Sequence, residues 1–255
     1  MPEHTITHCV VEDGPAMAKN NFSAFWEDPN WSYIWKDTTL EDIIRLGADR
    51  YPRQLIQNRD TLRHTKVVDS ETGALLGYAR WKLPEKYTKH EDGSPVWPEG
   101  QVPDVSDEQK DEIEKRASIA QEQWKPSEFT GEDDLDAILK ETEEAILAKK
   151  DYLSALKCVR NPFRNSELTR ATELDYITVH PSNQKKGVGL ALVKHGIEQA
   201  RSLGLDIFLL ACSGGFRMYE KAGFKEVDRI IQDATRIGGT NHYEVRFMVY
   251  EVANS

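Results

Sequence analysis

The residues between Leu174 and Gly189 are the first that could do chemistry. They read Leu-Asp-Tyr-Ile-Thr-Val, then His-Pro-Ser-Asn-Gln-Lys-Lys, then Gly-Val-Gly. The first run has the make-up of a strand, and the last opens an amphipathic helix over 187–203. Glycines at 187 and 189 let a backbone come close to a ligand. The first N–H groups of a helix lack internal partners, and the helix dipole favours an anion at that end. Lys185 and Lys186 add positive charge at the same place. Together these features describe a pyrophosphate site.

Two familiar phosphate motifs do not fit. A dinucleotide-binding turn needs a third glycine at position 192, which is leucine, and a turn that leaves the strand directly. A P-loop needs Gly-Lys-Ser/Thr, which is absent. A two-glycine turn alone is more often an ordinary helix start, but a second segment narrows the choice. Residues 212–224 form a short helix carrying Tyr219-x-Lys221-x-Gly223-Phe224. Gln184-x-x-Gly187-x-Gly189 followed by that helix, with room between for one helix and one strand, resembles the paired signatures of the GNAT superfamily of N-acetyltransferases. The resemblance covers about residues 171–250. Residues 1–83 agree with it only in the order of their strands and helices, and residues 84–160 have no counterpart in the minimal fold.

The resemblance implies an α/β (α+β) fold, with a mixed, mostly antiparallel central sheet flanked by helices. It implies one domain over residues 1–255, with 84–160 a helical and loop insertion between the third and fourth strands. Acetyl-CoA becomes the expected co-substrate, with direct transfer to an amine in a ternary complex and no metal. Its implied contacts are Gln184, Lys185, Lys186, Gly187, Val188, Gly189, Leu190 and Ala191 at the pyrophosphate, the backbone of Ile177, Thr178 and Val179 along the pantetheine arm, and Ser213. Ile177 and Val179 can be core strand residues at the same time, because the contact runs through their peptide groups.

Acyl transfer from a thioester to an amine makes three demands. The amine loses a proton, the carbonyl oxygen is stabilised as it gains charge, and the departing thiolate is protonated. Tyr219 is the candidate acid, with an ordinary phenol pKa of about 10. Its alternative is a packed tyrosine with its hydroxyl in water. Glu173 and Asp175 are the candidate bases. They stand two apart on one strand and so share a face. Glu173 precedes Gln184 by the offset that the catalytic glutamate has in the histone-acetylating branch of the superfamily. A strand-end salt bridge for each carboxylate, or a water chain in place of a base, stays open.

The elements that must position these groups can be read along the chain. Thr5–Val11 alternates like a strand, and Pro15–Trp26 has helical spacing. Thr39-Leu40-Glu41-Asp42 opens a second helix with a polar cap and acids in its first turn. Strands at 65–68 and 74–83 flank a hairpin turn, and a Pro- and Gly-bearing loop follows. Acidic helical stretches cover 107–123 and 132–156. Strands at 205–211, 224–232 and 243–252 and the short helix at 214–222 complete the order. Trp26, Trp31, Tyr33 and Trp35, four large aromatics in ten residues, are the candidate acceptor-binding residues; the other reading makes them the apolar seam of a helix pair.

Composition bounds the function. The 255 residues are 39% hydrophobic and 30% charged, with a net charge of −10, which disfavours nucleic acid as a partner. Residues 104–157 hold 16 acids against 8 bases, a net of −8, and read as solvated helix faces. No apolar run reaches the roughly 20 residues of a membrane helix. Three dispersed cysteines argue against a disulfide framework or zinc site and point to the cytoplasm, with Cys212 a packing residue. The expected function is an acetyl-CoA-dependent N-acetyltransferase acting on a primary amine of a small molecule. A protein or peptide lysine N-acetyltransferase and a non-catalytic acyl-CoA-binding module are the alternatives. Oligomeric state stays open.

Overall fold

Strands form where branched and aromatic side chains alternate, and three of them build the first half of a sheet. β1 (His4–His8), β2 (Leu62–Asp69) and β3 (Leu75–Lys82) pair antiparallel in that order. The computed structural model describes residues 4–33, 35–126, 133–154, 176–212, 214–233 and 242–252. The β2–β3 turn is closed by the Asp69 carboxylate, which accepts from the N–H groups of Glu71 and Thr72. β1 is shorter than its pattern predicts. It ends at His8, because Val11–Asp13 coils into a 3-10 turn leading into α1 (Gly14–Trp26).

Two short strands share the far edge of β3. β5 (Ile177–Val179) pairs with Gly77–Ala79, and β4 (Tyr152–Ser154) pairs further along at Lys82. β4 then continues the sheet, parallel to β6 (Asp206–Cys212), which pairs antiparallel with β8 (His242–Tyr250), and β8 with the edge strand β7 (Lys225–Asp233). β5 has no second strand partner among the described residues. The sheet is therefore mixed and mostly antiparallel. It is continuous at the β4 end and parted between β5 and the second half of β6.

β4 departs from the expected helix over 132–156. Helix α5 (Asp133–Leu147) stops early, and after Lys149-Lys150-Asp151 the buried Tyr152 and Leu153 enter the sheet. So short a run as Tyr152-Leu153-Ser154 fits a helix end and a strand equally well by periodicity, and here the edge of β6 decides.

Helices cover both faces. α1, α2 (Pro29–Tyr33), α3 (Leu40–Ile56) and α4 (Asp107–Gln123) enclose an aromatic core with Phe22, Trp31, Trp35, Tyr51 and Trp124. Thr39 caps α3 through the Asp42 N–H, and Ser106 caps α4 through the Gln109 N–H. The acidic helix α4 is fixed to α3 by Arg53–Glu114 and Arg116–Asp49 ion pairs and by Arg50, which donates to Gln121 and lies 4.1 Å over the Trp124 ring. On the other face α6 (Val188–Leu203) and α7 (Phe216–Ala222) pack with Trp81, Leu192, Val193, Ile197, Leu209 and Tyr219. β6 is buried on both sides, with Ile207 and Leu209 on the α6 face and Phe208 and Leu210 on the α5 face. No helix among the described residues is long and apolar enough to cross a membrane.

Gly196 sets how closely α6 lies on the sheet. A Cβ there would overlap the ring of Trp81, which is fully buried and has no room to retreat. Gly196→Ala gains up to about 1 kcal/mol of helix propensity but overpacks a closed core. The expected net effect is a loss of about 1–3 kcal/mol in stability, read from urea midpoints. An unchanged midpoint would show that α6 can shift freely on β3.

Candidate active site

β5 offers half of its peptide groups to the gap in the sheet. In an antiparallel ladder, hydrogen-bonded and non-hydrogen-bonded pairs alternate. The Arg80 N–H donates to the Tyr176 carbonyl at 2.9 Å, and the Tyr78–Thr178 pair follows two residues on. The peptide groups of Tyr176 and Thr178 therefore face β3. Those of Ile177 and Val179 face the parting toward β6. Thr178, expected among the backbone contacts, is turned the other way, and its side chain is buried.

The chain then turns through Pro181–Asn183 into the phosphate loop. His180 shapes this turn: its Nδ1 accepts from the Ser182 N–H, and burial with Lys19 nearby pulls its pKa below the ordinary value. Lys185 and Gly187 both take left-handed backbone angles, φ +61° and +88°. Such turns aim successive N–H groups at one point and make anion-binding concavities. Gly187 is the N-cap of α6 and supplies no side-chain cap, unlike Thr39 and Ser106 on α3 and α4. The N–H groups at the start of α6 thus keep an open end, flanked by Val188, Leu190 and Ala191. Space around Gly187 is clear; a Cβ there would meet nothing within 4 Å. Its glycine is needed for backbone angle rather than for room.

Gly189 serves a different purpose. A Cβ on it would lie 2.9 Å from Met218 Sδ, so this glycine lets α6 and α7 approach. Lys185 and Lys186 are exposed, and neither ammonium forms an ion pair among the described residues. Gln184 is exposed and donates to Val179 O and Glu27 Oε2, each at 3.4 Å, which ties the loop to the end of α1.

Tyr219 sits on α7 with its ring buried, edge-on to Phe224 at 5.7 Å. Burial pushes its phenol well above the ordinary value, so the group stays protonated at neutral pH. Its hydroxyl makes no hydrogen bond among the described residues.

The acceptor-side aromatics divide. Trp31 and Trp35 are buried within the helix seam; Trp31 packs on Phe22, Phe25 and Trp26, and Trp35 meets Trp124 edge-on at 4.8 Å. Trp26 is half-buried. Tyr33 ends α2, and its side chain lies outside the described part, as do Glu173, Asp175 and Ser213. Cys212 is disulfide-bonded, which corrects both its reading as a plain packing residue and the expectation against a disulfide. A cavity of about 360 Å³ opens at the opposite end of β6, lined by residues including Lys150, Asp151 and Asp206. Its charges are paired, Lys150 with Asp206 and Lys86 with Asp151, so it offers little to a substrate.

Sequence reasoning missed Asn20, Asn21, Tyr51 and Tyr176. They form a buried hydrogen-bond net behind β5, with Asn21 Nδ2 donating to Tyr51 Oη at 2.9 Å and to Tyr176 Oη at 3.1 Å. The one available signal was a pair of adjacent amides at core spacing in α1.

Comparison with known proteins adds the following. Residues 108–224 match the acetyltransferase (GNAT) family. No curated protein sequence matches. Among solved structures, the C-terminal condensation domain of Ebony, in complex with beta-alanyl-dopamine, is similar with a TM-score of 0.54 at 10% identity, over 99% of this chain and 100% of that one. A "histone acetyltransferase HPA2 and related acetyltransferase" from Corynebacterium glutamicum gives 0.53 at 17%, over 99% and 98%. The polyamine N-acetyltransferase of Drosophila melanogaster gives 0.50 at 12%, over 98% and 100%. At these identities the likeness is one of fold.

Gly187→Asp combines a strained left-handed backbone with a carboxylate at the mouth of α6. It is expected to weaken acetyl-CoA binding by about tenfold or more in titration calorimetry, while the melting temperature moves by only a few degrees. Undiminished binding would place the phosphate site elsewhere.

Proposed function

The chain belongs to the acetyltransferase (GNAT) family, whose members use acetyl-CoA, and from that premise we propose that it moves the acetyl group to a primary amine of a small molecule by direct transfer. The observation that carries this reading is the peptide edge of Ile177 and Val179, which has no strand partner among the described residues, beside the uncapped start of α6. The fit is chemical. A pantetheine arm has amides that can pair with a strand edge, and a pyrophosphate suits uncapped N–H groups with two ammonium groups beside them. Acetyl-CoA supplies the activated acyl group. What the chain supplies is position, charge and protons.

In this reading the N–H groups from Gly187 to Leu190, with Lys185, Lys186 and Gln184, hold the pyrophosphate; the Ala191 N–H, expected among them, donates instead to the Gly187 carbonyl at 2.9 Å. The peptide groups of Ile177 and Val179 align the arm, and an N–H here polarises the thioester carbonyl. Tyr219, protonated at neutral pH, gives its proton to the departing thiolate. Glu173 or Asp175, or water, takes the proton of the amine. In this reading the chain is one domain, and the inserted segment ends before β4, which belongs to the central sheet.

Two fold relatives favour small amines as acceptors: one is in complex with beta-alanyl-dopamine and one forms N-acetylagmatine. Protein lysine is the second reading, and the 11-residue step from Glu173 to Gln184 favours it. A screen of arylalkylamines, polyamines, amino sugars and histone-tail peptides, reading released thiol, separates them. Turnover on small amines alone is expected; turnover on peptides alone would reverse the assignment.

Tyr219→Phe removes a hydroxyl without a protein partner, so stability should barely change. Turnover is expected to fall by roughly 10- to 100-fold with acetyl-CoA affinity unaltered. Full turnover in this variant would move the acid to another group.

A further inference from the structure

We propose that Asn20 and Asn21 are positioning residues for acyl transfer, holding β5 from behind so that its free edge keeps the geometry the thioester arm requires. The proposal rests on the function proposed above. It starts from a mechanical problem. β5 is three residues long, pairs with β3 over Gly77–Ala79, and has no strand on its other side among the described residues. So short a ladder fixes a backbone weakly. The pair after Gly77–Val179 would be Leu76–His180, but the ladder has ended there.

Asn20 takes over at that point. Its side-chain carbonyl accepts from the His180 N–H at 2.8 Å, in place of a carbonyl of β3. Its amide donates to Thr178 Oγ1 at 3.0 Å and to the Thr178 carbonyl at 3.4 Å. One side chain of α1 thus grips the strand at Thr178 and holds His180, the first residue of the phosphate turn. Asn21 completes the clamp. Its carbonyl accepts from Asn20 Nδ2 at 2.8 Å and from the Thr178 hydroxyl at 2.5 Å. Its amide is fixed by the Tyr51 and Tyr176 hydroxyls, which also bond each other at 2.9 Å.

The net is closed and dry. Asn20 is 2% exposed, Asn21 0%, Thr178 4%. Satisfied polar networks in a low-dielectric interior are stiff, and removing one member leaves its partners unpaired. Neither asparagine touches the parting between β5 and β6 through any of these bonds, so both act through the strand. Because α1 also leads into the aromatic seam at Trp26–Trp35, the clamp ties the cofactor strand to the acceptor-side helices in one rigid unit.

The test uses Asn20→Ala, Thr178→Val and the double variant in the full chain. Thr178→Val keeps the side chain's shape and deletes the hydroxyl, so it serves if Asn20→Ala fails to fold. Three quantities are read: turnover, acetyl-CoA affinity by calorimetry, and hydrogen exchange of the amides at 177–180. Each single variant should lose about tenfold in turnover, keep acetyl-CoA affinity within about threefold, and exchange faster at 177–180 but not in β6 or β8. The double variant should fall no more than about twofold below the worse single, since both remove one coupled unit. Turnover within twofold of wild type in the singles, loss of affinity in step with turnover, or multiplicative losses in the double would overturn the proposal. A wild-type chain that binds no acetyl-CoA would refute the function proposed above instead. The exchange measurement would still decide the clamp, and unaltered exchange at 177–180 would refute it.

Discussion

A sheet that binds through its own backbone must leave peptide groups unpaired and yet hold them still. Buried N–H and C=O groups almost always find partners, and an edge left open tends to close on itself or on another chain. β5 meets this constraint by parting from β6 while β4 keeps the sheet closed a few residues away. The parting lies within the sheet, between β5 and β6.

The other functional parts follow from that arrangement. α6 starts where β5 ends, so the positive end of its dipole lies beside the open edge. Two glycines near this point share the labour differently. Gly187 supplies a backbone angle that other residues resist, whereas Gly189 lets Met218 of α7 come close. α7 in turn carries Tyr219 into the α6 core, where loss of water raises its phenol pKa and keeps the proton on. Strand edge, helix mouth and the Tyr219 phenol are thus set by a few packing contacts rather than by long loops.

Much of this was legible in the sequence, and the rest was hidden for physical reasons. The strand–turn–helix at 174–203 and the Tyr-x-Lys-x-Gly-Phe helix have local signatures, because glycine angles and helix caps are local properties. β4 had none, since a three-residue run such as Tyr152-Leu153-Ser154 after a helix reads as more helix until a neighbouring strand edge claims it. Trp31 and Trp35 show the same ambiguity: an aromatic run suits a pocket wall or a seam, and only the positions of Phe22 and Trp124 place them in the seam. The Asn20–Asn21 clamp was invisible because its partners lie about 30 and 155 residues away. Glu173, Asp175 and Ser213 fall outside the described residues, so the base stands on spacing alone.

The central claim is that one strand edge and one helix mouth together hold the CoA moiety. Amide chemical shifts followed during a CoA titration test it residue by residue. The account predicts the largest changes at Ile177 and Val179 and at Gly187, Val188, Gly189 and Leu190, all saturating with a single affinity. Shifts confined to the far end of β6, around Lys150 and Asp206, or no shifts at all in the first set, would contradict it.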